Sequence, residues 1–251
     1  MITAQKAVPQ ALWRDRLALA AAEVCAGHTG RRESAAGLRD AVHLTRPGDH
    51  PGPAGAIFRQ WSRAVAQPLS LAGLGKALEG VAAQSIARGL DAAGGTPVDR
   101  AAAAIEAMLM NNPRAEVAAV ILGDAVLAKS LSWKHVLPLM SLALKSRDLR
   151  LRGEAFRVAC HRAVVAGAGQ AVPLAADLAR AEVRLRSVAP KLRAKAATRA
   201  VEMFLSRDAL APSALTTFMS DRAARRLCDR LVTLGAVREL TGRETFRLYG
   251  V

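Results

Sequence analysis

At 251 residues the chain is long enough for one large domain or a medium and a small one, and about 70–75% of the unfolded surface of such a chain can be buried. Hydrophobic residues make up 51% of it and aromatics only 4%, with Ala and Leu supplying most of the apolar content, which favours packed helices. The formal charge of +15 comes from 36 Lys and Arg, only seven of them Lys, against 21 Asp and Glu, so a polyanionic partner and a coat of arginine on solvated helix faces both stand as explanations, whereas a membrane span is excluded because Asp124 interrupts the longest apolar run, Ala115 to Ala128.

In chain order, Arg14-Asp15-Arg16 precedes only six apolar residues, Leu17 to Ala22, before Glu23, too few for a signal peptide, and the expected location is cytoplasmic. Leu12, Trp13, Leu17, Ala20, Ala21 and Val24 recur at helical spacing, which predicts a helix over Ala11 to Gly27. Ser34 is an N-cap for a second helix ending at His43 or Leu44. Thr45 to Gly55, TRPGDHPGPAG, holds three Pro and three Gly and must be a structured loop. Asp40, His43, Asp49 and His50 around it are the right types for a metal or acid–base site but match no metal spacing, and Asp49 reads better as a loop-closing acceptor for turn amides. The loop resembles a Fic catalytic loop faintly and lacks the GNGR run that holds nucleotide phosphates.

Further helices are expected over Ala54 to Ala66 and, broken or in two pieces, over Leu71 to Leu90. Ser70 to Lys76, SLAGLGK, imitates a phosphate loop but has Ser70 for the first Gly and Ala77 where Ser or Thr must hold magnesium, so it is a helix turn. After the Gly94-Gly95 turn, Thr96-Pro97-Val98-Asp99 opens a helix that ends near Asn111-Asn112-Pro113. Glu116 to Leu131, Trp133 to Lys145, Glu154 to Ala166 and Leu174 to Val188 follow as helices, and no strand signal precedes residue 235. Cys25, Cys160 and Cys228 form no CxxC pair and read as small buried apolar residues. Cys25 with His28, and Cys160 with His161, lack the third orienting group that nucleophilic catalysis needs. Trp61 and Trp133 read as core. The sequence therefore assigns no catalytic residue, metal or cofactor, and an enzyme is not expected.

Val188-Ala189-Pro190 marks the expected boundary between a helical domain, residues 1–188, and a C-terminal domain, residues 189–251. The latter reads as helix Leu192 to Leu205, whose Lys191, Arg193, Lys195 and Arg199 give a basic surface, then a short helix opened by Pro212, then helix Asp221 to Leu234 with Ser220 as N-cap and Gly235 as C-cap. A helical wheel puts Ala223, Ala224, Leu227, Cys228, Leu231 and Leu234 on one face, and Arg222, Arg225, Arg226, Asp229 and Thr233 on the other with Arg230 at the flank. Strands Ala236 to Leu240 and Thr245 to Tyr249 flank the tip Thr241-Gly242-Arg243. The order is that of a winged helix-turn-helix with a two-stranded wing, in a chain that is otherwise all helical.

Through ALWRDRLALAAAEVC, LRDAVHLTRPGDHPGPAG, SVAPKLRAKAA and SDRAARRLCDRLVTLGAVRELTGRETFRLYG, the chain resembles over nearly its full length a bacterial family classed as domain of unknown function 1403, and the last motif also resembles the winged helix appended to Fic-type proteins. One departure is Thr217-Phe218-Met219 in the turn before the third helix, where a glycine is usual. The family implies no activity. From the residues, the expected function is double-stranded DNA binding, for example by a transcriptional regulator, through Ser220, Arg222, Arg225, Arg226 and Arg230 of the third helix and Thr241 and Arg243 of the wing. Asp221 with Arg225, and Asp229 with Arg225 or Arg226, are pairs that would instead hold the charge on an ordinary exposed helix. The alternative is an interaction adaptor that docks a protein partner or forms a homodimer, with no role at a membrane.

Overall fold

Short polar caps set where many of the helices begin. A computed structural model describes residues 8–46, 48–192 and 196–251, and divides the chain into two compact units: Leu17–Ala171, and Met1–Arg16 together with Val172–Val251. The junction expected at residue 188 falls inside the second unit.

The unit Leu17–Ala171 is helical. It contains most of α1 (Gln10–His28), then α2 (Ala35–His43), α3 (Gly52–Ala66), α4 (Leu71–Ala77), α5 (Ala83–Leu90), α6 (Pro97–Asn111), α7 (Glu116–Ser130) and the first half of α8 (Gly153–Val188). Ser34 Oγ accepts from Gly37 N at 3.2 Å and Ser70 Oγ from Gly73 N at 3.0 Å, which fixes the starts of α2 and α4. Thr96 and Asp99 form a reciprocal capping box at α6. Every residue of α7 from Ala118 to Ala128 is buried, including Asp124, so this helix is surrounded by its neighbours.

Trp133 to Lys145 is not the helix its spacing predicts. Pro138 bars a helix interior, and the buried Asp124 takes the backbone donors of the segment instead: Oδ1 accepts from Leu139 N at 3.1 Å and Met140 N at 2.9 Å, and Oδ2 from Ser141 N at 3.2 Å and from the Ser141 hydroxyl. The segment is irregular yet buried throughout Val136 to Leu142, and α8 passes so close that a Cβ on Gly167 would lie 2.0 Å from the Leu139 oxygen. The two helices expected over Glu154 to Ala166 and Leu174 to Val188 are one, Gly153–Val188, with Pro173 inside it. Pro173 and Gly169, whose carbonyl loses its usual helical donor, are both exposed, so water can replace the missing bond.

In the second unit, a 3₁₀ turn at Ala189–Lys191 follows α8, and α9 (Ala197–Phe204) is shorter than the helix expected from Leu192; Arg193 and Lys195 of its expected basic surface lie outside the described residues. The helix expected after Pro212 is a single 3₁₀ turn, Pro212–Leu215, packed against α10 (Asp221–Thr233). Strands β1 (Arg238–Glu239) and β2 (Tyr249–Gly250) pair antiparallel, with Arg238 opposite Gly250 and Glu239 opposite Tyr249. Leu210 joins the ladder by exchanging two bonds with Tyr249, at 2.8 and 2.9 Å. This close approach requires glycine at 250, where a Cβ would lie 2.6 Å from the Asp208 oxygen. Both strands are shorter than their alternation predicts; in the second, Phe246 has φ +57° and interrupts the extended run Thr245 to Tyr249.

The first turns of α1 belong to this unit. Arg16 forms an ion pair with Asp208, a carboxylate buried to 1% exposure, and donates from Nη2 to the Val251 oxygen at 3.2 Å, while Asp15 accepts from Asp208 N at 2.9 Å. The buried carboxylate is thereby compensated from residues nearly two hundred positions away.

Candidate functional site

The arginine-bearing helix α10 begins at Ser220, whose hydroxyl accepts from Ala223 N at 3.3 Å. Ala224, Leu227, Cys228 and Leu231 are buried and Ala223 and Leu234 half-buried, the face anticipated by the wheel. Arg222, Arg225, Arg226, Asp229, Arg230 and Thr233 are all exposed. Arg222, Arg226 and Arg230 recur every four residues and therefore form one ridge, about 12 Å from end to end at 1.5 Å rise per residue.

The carboxylates near that ridge are accounted for. Asp221 Oδ2 accepts from Arg225 Nε at 2.8 Å, an exposed pair worth a few tenths of a kcal/mol, roughly 0.3–0.5. Asp229 pairs with neither Arg225 nor Arg226: its Oδ1 faces the Tyr249 hydroxyl at 3.5 Å, at the outer limit of a hydrogen bond, and its backbone oxygen accepts from the Thr233 hydroxyl at 2.9 Å. Burial raises the Tyr249 phenol above its usual pKa, which keeps it a proton donor towards Asp229. Among the described residues, Arg222, Arg226 and Arg230 have no carboxylate within ion-pair distance.

The loop between the strands is closed by Leu240 N donating to Leu248 O at 2.8 Å. Thr241, expected to face a ligand, is half-buried and works inside the hairpin: its hydroxyl donates to Glu239 Oε1 at 3.3 Å and accepts from Leu248 N at 3.4 Å. Gly242 has the left-handed φ of +59° that the tip requires, and Arg243 is exposed, with its backbone oxygen accepting from Arg247 Nε at 3.0 Å. Arg247 also lies 3.7 Å from the Glu239 carboxylate. Phe246, which sequence reasoning passed over, is 75% exposed in a left-handed conformation that costs a bulky side chain about 1–2 kcal/mol. Arg199, expected on the basic surface, stacks 4.5 Å above the Phe218 ring, so the unusual turn before α10 is held by a cation–π contact.

The other candidate chemistry disperses. Asp49 and His50 are exposed, and the side-chain acceptor in the loop is His50, whose Nδ1 takes the Gly52 N–H at 3.0 Å, rather than Asp49. Cys25 accepts from Trp61 Nε1 at 3.4 Å while His28 Nε2 contacts the Leu144 oxygen at 2.9 Å, so the two point to different partners. His161 lies 3.3 Å from Asp99 and not against Cys160. Burial pushes the thiols of Cys25, Cys160 and Cys228 each up to about 12, which leaves them protonated and unreactive near neutral pH. Among the described residues, no three His, Cys, Asp or Glu side chains gather closely enough to hold a metal ion, and no helix is long and apolar enough to cross a membrane.

A family model described as Protein of unknown function (DUF1403) matches residues 1–251. The chain belongs to that family. No curated protein and no solved structure matches it. Within this DUF1403 chain, two site contacts had no local sequence signal: Tyr249 with Asp229, and Arg16 with Asp208. The exposure of Phe246 did have one, an aromatic residue in a run otherwise rich in Thr, Arg and Glu.

Proposed function

We propose that the C-terminal unit of this DUF1403 protein is a winged helix-turn-helix that binds double-stranded DNA, with α10 entering the major groove and the loop between β1 and β2 reaching the neighbouring backbone. The order of α9, the extended residue Leu210, the turn at Pro212–Leu215, α10 and the hairpin supports the fold assignment. The observation that carries the reading is the ridge Arg222, Arg226 and Arg230, exposed and without carboxylate partners. Its length of about 12 Å suits a groove about 12 Å wide, and guanidinium is the side chain best able to take guanine or phosphate in two hydrogen bonds. Ser220 and Asp221 are exposed, so the N-terminus of α10 is open to solvent; the helix dipole there favours a phosphate and the Asp221 carboxylate opposes one. Arg243 adds a cation from the loop. Regulation of transcription is the use that such a protein would serve, and no enzymatic step is part of the reading.

Fluorescence anisotropy with a labelled duplex tests it. Three or four phosphate contacts give a slope of log affinity against log salt of about −3 to −4. Absence of salt-dependent binding overturns the proposal. Capture of one protein partner, unaffected by nuclease and by substitution of Arg222 and Arg226, would support the adaptor reading in its place.

A further inference from the structure

Phe246 combines three properties that the hairpin does not require for its own folding. Its side chain is 75% exposed, its backbone has a φ of +57° that favours glycine, and it lies between Thr245, which is exposed, and Arg247, which reaches back to the Arg243 oxygen and towards Glu239. A bulky residue keeps such a conformation only where its surroundings impose it, and the closure from Leu240 to Leu248 together with the Arg247 contact does so here. The result is an aromatic ring held off the loop rather than folded onto the core beneath it, where Leu248 and Tyr249 are buried. The hairpin that carries it is cationic on balance: Arg238, Arg243 and Arg247 against Glu239 and Glu244.

We infer that Phe246 is a wedge that enters a base step of a DNA duplex from the minor groove and bends the duplex. The inference rests on the DNA-binding reading above and adds to it a mode of contact. An exposed ring on a hairpin that also carries guanidinium groups matches a polyanion whose interior is a stack of flat rings, and apolar side chains inserted between base pairs kink DNA by about 20–90°. Stacking on a base is tolerant of sequence, since every base has a π-face. Phe246 thus supplies deformation, while the ridge on α10 supplies register and base contact.

The test uses the full chain and a duplex of about 30 base pairs carrying a donor and acceptor dye at its ends, with 2-aminopurine placed at successive positions in separate duplexes. Wild type should increase energy transfer between the ends and raise 2-aminopurine emission at one step. Phe246→Ala should abolish both changes and lower affinity by about 5- to 100-fold, with the salt slope unchanged because no phosphate contact is removed. Phe246→Trp should restore the bend. Phe246→Gly, suited to the positive φ, checks that the hairpin survives loss of the ring, and should be as stable as wild type or more so. A wild-type complex that binds with the expected salt slope on a straight duplex, or a Phe246→Ala complex that bends DNA as wild type does, overturns the wedge and leaves the DNA-binding reading intact. Absence of wild-type binding overturns both.

Discussion

Replacing Asp124 with alanine should expose how much of the helical unit depends on one carboxylate. The group is fully buried and accepts from three backbone amides, Leu139, Met140 and Ser141, and from the Ser141 hydroxyl. Each buried donor left without a partner costs about 1–3 kcal/mol, and some recovery through entering water leaves an expected loss of about 4 kcal/mol where the carboxyl is protonated. Burial outweighs the four donors and raises the pKa of Asp124 to about 7, against about 3.9 in an unfolded chain. The sign follows: between those values the folded protein holds a proton that the unfolded chain has released, so this contribution to stability is present at low pH and is lost as pH rises through 7. Linkage over pH 4.5 to 7 amounts to about 3 kcal/mol, and the difference between wild type and Asp124→Ala should shrink from about 4 to about 1 kcal/mol. Urea denaturation followed by circular dichroism, with a slope of about 3 kcal/mol per molar, would show midpoints separated by about 1.3 M at pH 4.5 and about 0.3 M at pH 7. Other titrating groups cancel in the difference. A separation that holds constant or widens with pH would mean that the four donors keep the carboxylate ionised, and a separation near zero at pH 4.5 would mean that the segment does not need Asp124.

On the candidate interface, Arg226→Ala should reduce the salt slope by about 1 and weaken duplex binding several-fold, while Arg225→Ala, whose guanidinium is shared with Asp221, should do less; equal effects in the anisotropy titration would refute the distinction between them. Asp221→Asn releases Arg225 and removes a negative charge from the N-terminal end of α10, so affinity for the duplex should rise a few-fold at low salt and converge on wild type at high salt. Arg16→Ala removes an ion pair made to a buried carboxylate and should destabilise the second unit by about 3–5 kcal/mol; a loss under about 1 kcal/mol, read from chemical denaturation, would show that the pair is dispensable. Phe246→Gly should raise thermal stability slightly, by about 1 kcal/mol or less, and a marked loss would mean that the ring packs in solution.

The helix starts at Ser34, at Thr96 with Asp99, and at Ser220 were legible because capping is local: each acts within three residues, and all three cap as their spacing indicates. The two faces of α10 were equally readable, since periodicity alone assigns them. What failed was decided at a distance. Apolar spacing over Trp133 to Lys145 fits a helix, but Pro138 breaks it and Asp124, some fifteen residues earlier, organises the alternative. Alternation over Thr245 to Tyr249 fits a strand, but the hairpin imposes a left-handed residue at Phe246. Whether Asp229 neutralises an arginine depended on Tyr249, twenty residues on and brought near by strand pairing.

The pairing of Arg16 with Asp208 also sets a constraint in time. The two residues are 192 positions apart, and at a synthesis rate of about 5–20 residues per second Arg16 leaves the ribosome about 10–40 s before its partner exists. Throughout that interval the beginning of α1 must remain available while the helices after it are made, and the second unit cannot complete its buried charge pair until residue 208 has emerged. A ribosome-bound chain stalled before Asp208 should therefore carry residues 8–16 in a protease-sensitive form, and resistance should appear only once the strand at Tyr249–Gly250 is free to fold.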